Sequence, residues 1–130
     1  MPSIFTRIVN GEIPCYKVAE DDDFIAFLDI NPLVKGHTLV IPKKEIDYIF
    51  DIEDELLSKM IVFAKKVAKA IDKTITCKRV AVMILGLDVP HSHIHLIPMN
   101  NASDTNFSNT KLKLTEEQFR LIASKISAAF

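Results

Sequence analysis

The sequence predicts an α+β fold: an antiparallel five-stranded sheet, one long covering helix and a C-terminal helix. Three observations carry this. Short apolar runs, several rich in β-branched residues, recur between Pro, Asn and Asp punctuation. One stretch, residues 54–71, repeats apolar residues at helical spacing. A third, Thr115-Glu116-Glu117-Gln118, has the form of a capping box ahead of another apolar stripe.

Taken in order, residues 4–9 are apolar and suit a short helix or turn, broken by Gly11 and Pro14. Residues 16–20 alternate weakly and read as a first strand, followed by a turn at Asp21 to Asp23. Residues 24–29 form a second, ended by Asn31-Pro32, and the two make a hairpin. "GHTLVIP", residues 36–42, is a third strand stopped by Pro42. In residues 54–71, Leu56, Leu57, Met60, Ile61, Phe63, Ala64, Val67, Ala68 and Ile71 carry the apolar character and charges fill the gaps. Glu53 to Glu55 suit the positive end of that helix and Lys69 the negative end. Residues 78–85 are apolar on both faces, which predicts a central strand. Residues 91–98 form the fifth, joined to it by "GLDVP" as an antiparallel neighbour. "NNASDTNFSNT" is polar and irregular. The last helix then places Phe119, Ile122, Ala123, Ile126 and Phe130 on one face.

The 130 residues are read as one domain, with a core at residues 3–100 and a C-terminal helical extension at residues 113–130. Composition is that of a soluble globular protein, 48% hydrophobic and 25% charged. A formal net charge of −1 and the lack of any basic run beyond pairs give no footprint for nucleic acid. The longest apolar run, residues 80–85, is far short of the roughly 20 residues that span a bilayer. No signal peptide is evident, and Cys15 and Cys77 form no CxxC pair. A reduced, cytoplasmic setting without membrane contact is expected.

"DVPHSHIHLIPMN" holds three of the four histidines at alternate positions. On an extended strand, His91, His93 and His95 share one face and Ser92, Ile94 and Leu96 the other. Three readings compete: a metal site, a covalent catalytic site, and a polar strand face. The outer two histidines lie roughly 13 Å apart along the backbone, awkward for one metal ion. A metal site would need two of them plus a ligand from elsewhere, such as His37. A covalent site uses the row better. A neutral imidazole is a good nucleophile toward phosphorus, and its flanking neighbours can reach phosphate oxygens or the leaving group.

His91-Ser92-His93-Ile94-His95-Leu96-Ile97 resembles the histidine triad motif, H-x-H-x-H followed by apolar residues. "IFTRIVNGEIPCYKVAEDDDFIAFLDINPLVKGHTLVIPKK", residues 4–44, is similar to the N-terminal half of histidine triad (HIT) nucleotide hydrolases and transferases. The resemblance covers residues 3–100 and implies the HIT-like fold. It implies a purine nucleotide substrate, either a nucleoside 5′-phosphoramidate or a dinucleotide polyphosphate. It also implies a homodimer with sheets joined across the interface, and no cofactor. By resemblance His93 is the nucleophile that takes the nucleotidyl group, His91 and His95 assist beside it, and His37 supports the row. Asp29 accepts hydrogen bonds from the ribose hydroxyls, as a carboxylate can. Ile4, Phe5, Ile8, Phe27, Ile30 and Leu39 match positions that enclose the base, although each taken singly reads as core.

The chain departs from the family pattern before the triad. Many relatives carry a Gly-rich loop ending in Gly-Gln; here Leu87 stands where the Gln would, followed by Asp88 and Val89. The missing amide removes a phosphate donor and the Asp88 carboxylate repels an anion. Backbone N–H groups from Gly86 to Val89 are left as donors there. The paired N-terminal cysteines that hold zinc in some relatives are absent, so no metal is expected. The expectation is a hydrolase of the phosphoramidase type. The alternatives are a metal-dependent hydrolase built on two triad histidines and His37, and a nucleotide-binding module with weakened catalysis.

Overall fold

A computed structural model describes all 130 residues. Its elements are α1 (Ile4–Val9), β1 (Lys17–Glu20), β2 (Phe24–Leu28), β3 (Thr38–Pro42), α2 (Asp54–Thr74), β4 (Arg79–Met83), β5 (Ile94–Met99) and α3 (Glu116–Ala129). Short 3-10 turns lie at Ile49–Asp51 and Ala102–Thr105. The strands form one antiparallel sheet in the order β1-β2-β3-β5-β4, with a bulge between Lys17 and Ala19 in β1.

Local chemistry sets most boundaries. The Ser3 side chain caps α1 by accepting the Thr6 N–H. Asp54 and Glu55 open α2 and Lys73 sits in its last turn, each suited to the helix dipole. That helix buries Met60, Phe63, Ala64, Val67, Ala70 and Ile71 along one stripe and runs three residues past its expected end. Thr115 and Gln118 form the expected capping box of α3.

Alternation along the strands divides the sheet into two faces. Phe24, Ala26 and Leu28 of β2, Val40 of β3, and Ile94 and Leu96 of β5 pack with α2 and α3 in the main core, which includes Phe119, Ala123 and Ile126. Ile25, Phe27, Leu39 and Ile41 point the other way and pack with Phe5 of α1. Across that second face, Met83, His95, Leu39 and Phe27 lie opposite one another in successive strands.

Two expectations are corrected. β4 is an edge strand, not a central one. Its apolar character is not buried on both faces within the chain, and Val82 remains 51% exposed. The fifth strand starts at Ile94 rather than at residue 91. His91, Ser92 and His93 precede it in irregular backbone, because the His91 N–H turns back to the Val89 carbonyl (2.8 Å) and the Ser92 N–H reaches the Ile46 carbonyl (2.7 Å).

Candidate active site

A cavity of about 280 Å³ opens on the α1 face of the sheet. Ile4 and Phe5 come from α1, Phe27 and Leu28 from β2, and Leu39 from β3. Asp29, Ile30 and Asn31 come from the turn after β2, and Asp88 and Val89 from the loop before the histidines. His93 and His95 form its floor. His93 also borders a second hollow of about 270 Å³ beside Asp47, Tyr48, Phe50, Ile84 and Leu85.

The hydrogen bonds fix which nitrogen of each imidazole is open. The Leu33 N–H donates to His37 Nδ1 (3.1 Å), so neutral His37 carries its proton on Nε2. That proton is donated to His95 Nδ1 (3.0 Å). His95 therefore carries its own proton on Nε2 and is a donor there. His93 is held the opposite way: Nδ1 lies 2.7 Å from the His91 carbonyl, an acceptor, so Nδ1 carries the proton. In the neutral ring this leaves the lone pair on Nε2. Two adjacent rings, centroids 5.0 Å apart, thus combine a nucleophilic nitrogen with an N–H donor.

His91 stands elsewhere. It is 0% exposed, does not line the cavity, and has both nitrogens engaged. Nε2–H donates to the Pro42 carbonyl (2.7 Å), so Nδ1 accepts from the Ser3 hydroxyl (2.8 Å). The Thr6 hydroxyl, 3.3 Å from that nitrogen, donates to Glu45 Oε1 (2.7 Å), which also takes the Ser3 backbone N–H (2.5 Å). His91 thus holds the backbone whose carbonyl orients His93, and its ring does not reach into the cavity beside His93 as expected. His37, 1% exposed, lies behind His95, with its Nε2 3.0 Å from His95 Nδ1.

Burial dominates the electrostatics. It lowers His37 to about 3 and, with the nearby His93 charge, His95 to about 4. It lowers His91 too, against the Pro42 bond and the Glu45 charge. Glu45 falls to about 2 because the Ser3 N–H and the Thr6 hydroxyl bond its charged form. Asp29 is raised by burial, partly offset by the Asn31 N–H on Oδ1 (2.9 Å). Its backbone N–H donates to the His37 carbonyl (3.0 Å), and its Oδ2 lies 3.6 Å from His37 Nε2. Gly36 makes this turn possible: its φ is +89°, and a Cβ there would come within 3.1 Å of Ile75.

Of the expected base-enclosing residues, Ile4, Phe5, Phe27, Ile30 and Leu39 line the cavity, as do Asp29, Asp88 and Val89. Ile8 does not; it packs against the small apolar cluster beneath, on the inward side of α1. Leu87 points to solvent at 90% exposure. Pro14, Cys15, Asn31, Phe107 and Lys111 also line the cavity without having been singled out. A lone aromatic in the polar run "NNASDTNFSNT" is the one signal that pointed to Phe107. Phe5 packs edge-on against His93 (5.1 Å between centroids) and Phe107 against His95 (4.9 Å). Asp29, His37 and His95 offer ligand atoms within 4.8 Å of one another and are the one group able to gather around a metal ion.

Residues 10–102 match the HIT domain family. An uncharacterized HIT-like protein of Borreliella burgdorferi is 36% identical over 132 residues, covering 95% of each chain. The adenosine 5′-monophosphoramidase of Schizosaccharomyces pombe is 41% identical over 102 residues, 78% of this chain and 77% of the relative. A solved Hit-like protein involved in cell-cycle regulation from Bartonella henselae is similar in fold, with a TM-score of 0.86 and 37% identity. The match covers 98% of this chain and 96% of that one.

Proposed function

The chain belongs to the HIT domain family and is a hydrolase, and from that premise we propose that it cleaves nucleoside 5′-phosphoramidates or dinucleotide polyphosphates through a nucleotide bound covalently to His93. The observation that carries this reading is the opposed pair of tautomers at the cavity floor, a lone pair on His93 Nε2 beside an N–H on His95 Nε2.

The base lies among Ile4, Phe5, Phe27, Ile30 and Leu39, and Asp29 takes the ribose hydroxyls. His93 Nε2 attacks the α-phosphorus and a nitrogen–phosphorus bond forms. The bond to the leaving group breaks with its electron pair on the departing group: a phosphoramidate nitrogen takes a proton from solvent and leaves as the free amine, and a polyphosphate leaves as its anion. The Nδ1–H of the cationic adduct stays on the His91 carbonyl, and His95 Nε2–H bonds a phosphoryl oxygen. Water then attacks phosphorus, the nucleotide leaves, His93 regains its lone pair and one proton passes to solvent. Intact mass after brief exposure to adenosine 5′-phosphoramidate tests this. An acid-labile nucleotidyl adduct on His93 is expected; turnover with no adduct at rapid quench points to direct hydrolysis.

A second reading follows from Asp29, His37 and His95, which together suit a metal-dependent hydrolase. Dialysis against a chelator separates the two, since only the metal enzyme loses its activity.

Three further readings accompany the first. The exposed apolar residues of edge strand β4 and the loop after it, Val82, Ile84 and Leu85, support a homodimer joined there, which light scattering at micromolar concentration checks. Residues 1–130 act as one domain because α3 shares a core with α2 and the sheet, so a single unfolding transition is expected. Two free thiols, Cys15 and Cys77, fit a reducing cytoplasm, and no helix is long and apolar enough to cross a membrane. A cell fractionation reads the location.

A further inference from the structure

The cavity has a charge problem. Its acidic lining residues are Asp29 and Asp88, and a nucleotide brings further negative charge to it. Lys111 is the sole lysine or arginine among the lining side chains. It lies outside the family-matched residues 10–102, in the segment between β5 and α3.

That segment is built to hold its shape. Asp104 accepts the N–H groups of Asn100 (2.8 Å) and Asn101 (3.1 Å), and the Asn109 side chain donates to the Ser103 carbonyl (2.7 Å). The Leu112 N–H donates to the Pro32 carbonyl (2.9 Å), which ties the segment to the turn bearing Asp29. Phe107 stands edge-on to His95 and, at 6.1 Å, to His37. Lys111 Nζ donates to the carbonyls of Phe107 (2.5 Å) and Asn109 (3.0 Å) and lies 5.9 Å from the Phe107 ring centroid. The ammonium has three protons and these contacts use two. It makes no ion pair with either carboxylate of the cavity. Its charge nonetheless acts on this site, favouring the ionised form of Asp29 and disfavouring that of His37.

We propose that Lys111 is the anion-recognition residue of this cavity, binding the phosphoryl group of the nucleotide from a segment that the family match does not include. The proposal rests on the nucleotide reading above. Loops that carry two backbone bonds to one ammonium keep it in place before the ligand arrives, so little side-chain freedom is lost on binding. The arrangement also supplies a positive group on a site from which Leu87, in the loop before the histidines, has turned to solvent. Lys111 is a specificity residue in this account: it selects nucleotides over nucleosides and leaves the nucleophile unchanged.

The test is binding of AMP and GMP against adenosine and guanosine, by calorimetry on the full chain. Wild type, Lys111→Met and Lys111→Arg are compared. A hydrogen bond to a charged group corresponds to roughly 10- to 100-fold in affinity. Lys111→Met is expected to weaken the monophosphates by that factor, leave the nucleosides within about twofold, and lose the salt dependence of binding. Lys111→Arg is expected to keep most of the affinity. Equal weakening of nucleotide and nucleoside would assign Lys111 to the ribose or to pocket shape and overturn the proposal. So would monophosphate binding that Lys111→Met does not alter. A wild-type protein that binds neither nucleotide nor nucleoside removes the nucleotide reading itself, an outcome distinct from the other two.

Discussion

The two faces of the sheet are made from alternate residues of the same strands, yet they differ in kind. The helix-covered face joins a core of 19 buried residues, all hydrocarbon or thioether, where shape alone matters. The opposite face has a cluster of only 5 buried apolar residues, and the remaining space is filled by imidazoles and a cavity. Ile94 and Leu96 face one side and His95 the other, within three residues of a single strand. A buried polar atom must be bonded or pay a penalty, and His37 and His91 obey this at both nitrogens. His93 and His95 each leave Nε2 unbonded within the chain. The difference teaches where chemistry can occur: at the two ring nitrogens that folding leaves open.

The sharpest way to break that division is a matched pair of substitutions, one on each face. His93→Ala is expected to lower kcat/KM by at least ~10³-fold, the scale of losing a covalent nucleophile. Unfolding in urea should shift by no more than about 1–3 kcal/mol, the cost of leaving the His91 carbonyl without its donor. Leu96→Ala should do the reverse: a loss of about 2–5 kcal/mol in stability with kcat of the folded fraction unchanged. Turnover that survives in His93→Ala, or a kcat that collapses in Leu96→Ala, would show that the faces are not separate in function.

Acid sharpens the comparison further. His37 and His95 are pushed down to about 3 and about 4 against an ordinary 6.5, so between these limits the folded chain holds fewer protons than the unfolded one. Their stabilising effect is complete above about pH 6.5 and is lost as pH falls through 4 and 3. Each imidazole adds up to about 1.4 kcal/mol per pH unit in that window. Urea melts from pH 7 to pH 4 should show this slope, and His37→Asn should flatten it. A slope unchanged in His37→Asn would place the acid sensitivity elsewhere.

Much of this was legible from residue order. Period-2 alternation put His95 opposite Ile94 and Leu96, as β5 has it, but it also put His91 and His93 on the same strand face, and the strand begins only at Ile94; the spacing in residues 54–71 announced the stripe of α2. Two kinds of fact were not. Apolar residues on both sides of residues 78–85 read as central, because sequence cannot distinguish a face buried within the chain from one left exposed at a sheet edge. And side-chain partners distant in sequence leave no local trace. Ser3 meets His91 across 88 positions and Glu45 meets Ser3 across 42, and Lys111 arrives from a polar run with no periodicity.

The smallest effect tests the position of His91, the histidine that the row pattern placed in the cavity and the structure places behind it. Ser3→Ala removes the hydroxyl that both caps α1 and donates to His91 Nδ1. The Thr6 hydroxyl cannot take over without abandoning Glu45, to which its proton is committed. A lost cap together with a buried acceptor left unpaired costs roughly 1–3 kcal/mol. Activity should fall only a few-fold, because the His91 carbonyl that orients His93 is also fixed by the backbone bonds at Val89 and Ile46. Unfolding in urea and kcat/KM on the same preparation separate the two quantities. If Ser3→Ala lost activity on the scale of His93→Ala while remaining folded, the hydrogen bonds behind the row would belong to the chemistry, and the boundary between supporting and reacting histidines would move to include His91.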